Sequence, residues 1–165
     1  MARSSTRLLP ICLALAVALG ASSAPAQTAP PQPDYHPSFG DLMTMAVQPR
    51  HTKLGLSGQA RNWTYAAYEA SELRNAFIRI GRTIPDYRTV NLTTMFAGSV
   101  TGPLDQVDAA IKAGDGKAFD AAYATLTTAC NACHVALDHA YVVVKAPAAT
   151  DFPDQVFASQ PPVRK

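Results

Sequence analysis

The sequence predicts an all-α protein, an antiparallel four-helix bundle. Three observations predict it. Apolar residues recur at three- and four-residue steps in four segments, capping and turn residues separate those segments, and no alternating strand pattern of useful length occurs. Mostly short connections make consecutive helices antiparallel neighbours.

The first 26 residues stand outside that bundle. Arg3 and Arg7 form a basic start, residues 8–19 are a short apolar run, and Ala24-Pro25-Ala26 supplies the small-x-small pattern cleaved by a signal peptidase. Such a leader is too short in its apolar core to span a bilayer permanently. Cleavage after about Ala26 removes Cys12 with it. No later stretch is apolar for long enough to cross a membrane. The expectation is therefore an exported, periplasmic chain without stable membrane insertion.

Of the 14 Lys and Arg residues, Arg3 and Arg7 leave with the leader, so 12 face 12 Asp and Glu in the mature chain. A balanced chain lacks the basic footprint of a nucleic-acid binder. Removing 26 of 165 residues leaves 139, enough for one domain with a real core. Residues 27–37 are proline-rich and read as a disordered lead-in; residues 38–145 hold the bundle, and residues 146–165 read as an irregular tail.

Ser38 offers an N-cap to the first helix, with Asp41 three residues on as a weak capping box. Phe39, Leu42, Met43, Ala46, Val47, Arg50, His51 and Leu54 then share one helical face, and Pro49 should kink or restart the segment. Gly55 and Gly58 mark a turn. The second helix spans roughly residues 58–81, with Trp63, Ala66, Ala67, Ala70, Leu73, Phe77 and Ile80 inward and Arg61, Glu69, Glu72 and Arg74 on the wet face. Gly81 suits its C-cap, and Pro85 forbids continuation. Asn91 caps the third helix, whose stripe of Leu92, Phe96, Val100, Leu104, Val107 and Ile111 is interrupted by Gly102-Pro103. Gly114-Asp115-Gly116 stops it. The fourth runs from about residue 117 to residue 140. Phe119, Tyr123, Leu126, Cys130, Cys133 and Leu137 are spaced 4, 3, 4, 3 and 4, which puts both cysteines on the core stripe.

Those cysteines belong to Cys130-Asn131-Ala132-Cys133-His134. Three chemistries use two cysteines at this spacing. A thioredoxin-type redox pair wants a preceding strand in a βαβ setting, whereas this pair lies deep in a helix. A structural zinc site needs four ligands, and Cys130, Cys133 and His139 lack a fourth unless His51 or His36 supplies it. The third chemistry is covalent haem. C-x-x-C-H is the attachment sequence of c-type cytochromes. Two thiols one turn apart match the two porphyrin vinyl groups, and His134 can bring an imidazole nitrogen to the iron. Export and placement on the core stripe favour this third reading, one haem c with its iron.

A four-helix bundle with C-x-x-C-H near the end of its last helix resembles the class II cytochromes c, the cytochrome c-prime group, over roughly residues 38–141. Cys130, Cys133 and His134 match its attachment positions. The family usually has a basic residue four positions after the haem histidine, where this chain has Asp138, so a divergent branch is implied. The resemblance also implies that a first-helix side chain covers the sixth iron position, and that two copies often pair through their first two helices into a homodimer.

Met43 shares the apolar stripe with Phe39, Ala46, Val47 and His51, while Met45 lies about 200° away in helical phase. Met43 is therefore the preferred axial ligand, with Met45, His51 or an open position as alternatives. Arg50 on the same general side could pair with a haem propionate, and Trp63 could pack on the ring. Methionine ligation predicts a carrier of single electrons between periplasmic redox proteins, not a catalyst, since no general-base constellation surrounds the motif. An open position walled by Phe39, Leu42 and Val47 instead predicts a protein that captures nitric oxide or carbon monoxide.

Overall fold

Ser38 opens the first helix as its sequence signature predicts. Its hydroxyl accepts the Asp41 N–H at 3.1 Å, and the Asp41 carboxylate accepts the Ser38 N–H at 3.0 Å, which completes a capping box at the start of α1 (Phe39–Leu42). The computed structural model describes residues 35–148, 152 and 154–161. The leader and residues 27–34 of the lead-in lie outside the described residues.

A π-helical turn (Met43–Val47) follows α1 and passes into α2 (Gln48–Gln59). Pro49 explains the irregularity. It has no N–H to donate, and in a regular helix its ring would strike the carbonyl of Met45 four residues back. The wider turn, closed by the Gln48 N–H on the Met43 carbonyl, relieves that clash, and Pro49 sits in the first turn of the restarted helix.

Gly55 and Gly58 do not make the expected turn. Both are buried inside α2, where Phe119 and Tyr123 come close enough to exclude a side chain. A Cβ on Gly58 would lie 1.9 Å from Phe119 Cζ, and one on Gly55 would lie 2.6 Å from the Tyr123 hydroxyl. The turn comes later, through Arg61 at a φ of 56°. Asn62 then caps α3 (Trp63–Thr83) by accepting the Tyr65 N–H at 3.2 Å. Gly81, expected as a C-cap, lies inside α3 against Thr93, and the helix ends at Ile84 before Pro85.

A two-residue antiparallel pairing joins β1 (Asp86–Tyr87) to β2 (Val90–Asn91). Asn91 caps α4 (Leu92–Ser99) as expected, its amide oxygen accepting the Thr94 N–H at 3.0 Å. The predicted break falls at Val100, and α5 (Thr101–Ala113) restarts with Pro103 in its first turn. Gly114, at a φ of 64°, ends α5 in the left-handed region, and Asp115 caps α6 (Gly116–Ala136) through the N–H groups of Lys117 and Ala118.

Among the described residues the protein is mostly helical, with only that short β pairing. α2 packs on α3, α3 on α5, α5 on α6 and α6 on α2. Leu54, Leu73, Ile80, Leu104, Phe119 and Leu126 fill the space between them. From His36 onward the described residues form one compact unit. Among them, no helix is long and apolar enough to cross a membrane.

The Gly58 contact sets a test. Gly58→Ala forces a methyl group into the Phe119 ring and is expected to cost about 2–3 kcal/mol, as overpacking does. Gly98→Ala, where nothing lies within 4 Å of the added carbon, is expected to add about 0.5–1 kcal/mol through helix propensity. Thermal or denaturant unfolding of the two variants should move in opposite directions.

Candidate functional site

The end of α6 carries the motif, and its helical phase is as the spacing predicts. Phe119, Tyr123, Leu126, Cys130 and Leu137 are buried along one side, and Cys133 is half-buried. The two thiols are not joined to each other. Burial, with the neighbouring Cys133 adding to it, pushes the Cys130 thiol up to about 12. A thiol held protonated in apolar surroundings is the opposite of the activated thiolate that dithiol exchange requires. No grouping of three His, Cys, Asp or Glu side chains fit to hold a metal ion occurs among the described residues.

Cys130, Cys133 and His134 face an apolar cavity of about 160 Å³. Phe39 and Met43 from the first helical segment, Phe77 from α3, Phe96 from α4, Val100, and Leu137 beyond α6 wall it. A second cavity of about 290 Å³ lies alongside and shares Met43, Thr44, Cys130, His134 and Val142 with the first. The first alone matches the roughly 150 Å³ in which a protein cavity holds benzene. A flat group much larger than benzene would need both.

The first helical segment faces these cavities through the pairs Phe39 and Gly40, Met43 and Thr44, Val47 and Gln48, and His51 and Thr52. The repeat of four is straighter than a regular helix allows, because each such step overshoots a full turn by about 40°. The π turn absorbs part of that drift. It keeps Met43 on the cleft, while Met45 is 60% exposed.

α6 stops at Ala136, four residues before the expected end. Asp138 adopts a φ of 62° and reverses the chain. Arg88, from the β hairpin and also left-handed at 55°, donates to the Leu137 carbonyl at 3.3 Å and to the Asp138 carboxylate at 2.8 Å. Asp138, the departure from the resembling family's pattern, thus lies beside a guanidinium supplied from elsewhere in the chain. Val142 then returns along α6, and its carbonyl lies 2.7 Å from His134 Nδ1. A carbonyl can only accept, so Nδ1 carries the proton, and in the neutral ring Nε2 keeps its lone pair for a ligand bond. His139 also lines the first cavity.

Several candidates take other roles. Arg50 lines neither cavity. It donates to the Glu69 carboxylate at 3.1 and 3.3 Å, and Glu69, expected on the wet face of its helix, is only 1% exposed. Glu69 sits between Ala66, Ala70 and Leu73 on the core side of α3, and Arg50 compensates its charge there. His51 borders the second cavity, yet both ring nitrogens already have hydroxyl partners, Tyr123 and Thr127, each at 3.0 Å. Trp63 lies against Phe119 and Gly114, at the opposite end of α6 from the motif. Lys145, which drew no attention in the sequence, lines the second cavity instead. No periodicity signals it, because it belongs to no helix.

Two tests follow from these polar groups. Arg50→Ala strands a buried carboxylate and is expected to destabilise the fold by about 3 kcal/mol, leaving the ligand content of the cleft unchanged. Burial depresses the His51 pKa from 6.5 to about 4. Its contribution is whole above pH 6.5 and is lost as pH falls toward 4, because the unfolded chain takes up the proton first. The loss approaches about 3 kcal/mol, and comparing urea midpoints of the protein and His51→Gln through that window isolates it.

No family model, curated protein or solved structure matches the chain, so the geometry of this cleft carries the functional reading.

Proposed function

We propose that the chain is an exported c-type cytochrome on an antiparallel four-helix bundle, holding one haem and carrying single electrons between periplasmic redox proteins. The observation that carries this reading is the convergence of two uncrosslinked thiols and one oriented imidazole on a single apolar cleft. Thioether formation requires reduced sulfur, and Cys130 and Cys133 stand one helical turn apart in that form. His134 would hold the iron through Nε2. Met43, on the facing segment, would take the opposite position.

Iron bound there supplies a one-electron couple, and the surrounding side chains set how readily it is used. Phe39, Phe77, Phe96 and Leu137 keep water away and disfavour the additional positive charge of the oxidised state, which raises the potential. The Val142 carbonyl on Nδ1 works in the other direction, making the imidazole a stronger donor. Lys145 suits a carboxylate of the bound group, while Arg50 stays with Glu69. His51, with both nitrogens engaged by hydroxyl groups, is not poised as a distal acid or base, which favours a carrier over a catalyst.

Absorption spectra of the exported protein test the proposal. Haem that survives denaturation and extraction is expected in the protein and lost in Cys130→Ala/Cys133→Ala. A low-spin oxidised spectrum with a weak far-red band marks methionine ligation, and Met43→Ala should abolish that band while Met45→Ala leaves it. A rapid spectral change on adding carbon monoxide to the reduced protein would replace the carrier reading with that of a gas-binding protein having an open iron position.

A further inference from the structure

The chain beyond α6 is tied to the motif at two points. Asn131, between the two cysteines, donates from Nδ2 to the Val144 carbonyl at 2.8 Å and accepts the Val144 N–H on Oδ1 at 2.7 Å. The two bonds satisfy the backbone N–H and C=O of one residue, and together they fix Val144 in two directions, as a strand partner would. Two residues earlier, Val142 places its carbonyl on His134 Nδ1. Further on, Pro147 is buried against Gly55 and its carbonyl accepts from Gln59, while Phe157 stacks on Tyr65 with its carbonyl accepting from Asn62. The described chain after Tyr141 is a strap: Val142 and Val144 return along α6, and Pro147 and Phe157, from the stretch read in the sequence as an irregular tail, reach α2 and the start of α3.

We propose that Asn131 is a positioning residue for the axial histidine. By clamping the strap at Val144 it keeps the Val142 carbonyl on His134, which fixes the tautomer of the ring and leaves Nε2 as the coordinating nitrogen. A carbonyl free to swing away would release Nδ1 to water and let the ring rotate. From the other side Val142 is held by the turn through His139, whose carbonyl accepts its N–H at 2.8 Å. The step from tautomer to iron rests on the cytochrome reading above; the clamp itself does not.

Two measurements separate the two. In the haem-free full chain, nitrogen NMR of His134 is expected to show the Nδ1–H tautomer. Asn131→Ala, which removes the clamp from α6, should shift it toward a mixture, and Val144→Pro, which removes the strap's N–H, should do the same. The double variant should go no further than either alone, because each breaks one shared contact. In the haem-loaded protein, Asn131→Ala is expected to raise the reduction potential, since a weaker donor stabilises the oxidised iron less. Thr128→Ala, an exposed change on the same helix, should leave the potential unmoved. A His134 tautomer unchanged in both single variants would overturn the proposal. A protein without haem would instead remove the cytochrome reading, while the tautomer measurement still decides the clamp.

Discussion

The reversal of the chain at Asp138 governs the site. It ends α6 two residues after the motif, and Arg88 holds it by bonding both the Leu137 carbonyl and the Asp138 carboxylate. From that turn the backbone runs back along the helix, so that Val142 meets His134 and Val144 meets Asn131. Had α6 continued to residue 140, neither contact could form, and the wall of the second cavity made by Val142, Val143, Val144 and Lys145 would be absent. A left-handed residue costs on the order of 1 kcal/mol outside glycine. Two charge-assisted bonds at the same place offset that cost.

The other constraint is the satisfaction of polar groups beside an apolar stripe. Among the described residues, His51, Glu69 and Ser57 are the buried polar side chains, and each has partners within the chain. No buried side-chain nitrogen or oxygen among the described residues lacks one. A polar group that deep carries a penalty of a few kcal/mol unless it is bonded. Histidine and arginine on the first helical segment therefore serve α3 and α6. The first cavity keeps two thiols, the imidazoles of His134 and His139 and a thioether as its chemistry, with aromatic rings among its walls.

Close approach of α2 and α6 makes this arrangement compact. Gly55 and Gly58 let the rings of Tyr123 and Phe119 press against the α2 backbone. Tyr123 is thereby within reach of the His51 carbonyl at 2.8 Å and stacks on its ring. Glycine as a packing surface and glycine as a turn residue look alike in a sequence, which is why the turn was misplaced by a few residues. Gly102-Pro103 was legible because proline cannot continue a hydrogen-bond ladder wherever it is packed. The same holds for Ser38 and Asn91, whose capping bonds reach only three residues along the chain.

Local periodicity and capping were thus enough to place the helical segments approximately, to set the phase that turns Cys130 and Cys133 inward, and to put Met43 instead of Met45 toward the cleft, because each depends on residues within one or two turns. Tertiary structure alone decided the partners of Arg50, Glu69 and His51, the place of Trp63, the early end of α6 and the strap that meets His134. Those depend on contacts between residues far apart in the chain, such as Arg50 with Glu69 or Gln59 with Pro147, or on segments with no repeat to read. A carbonyl is the same in every residue, so nothing in the letters of Val142 could announce that it would hold the imidazole.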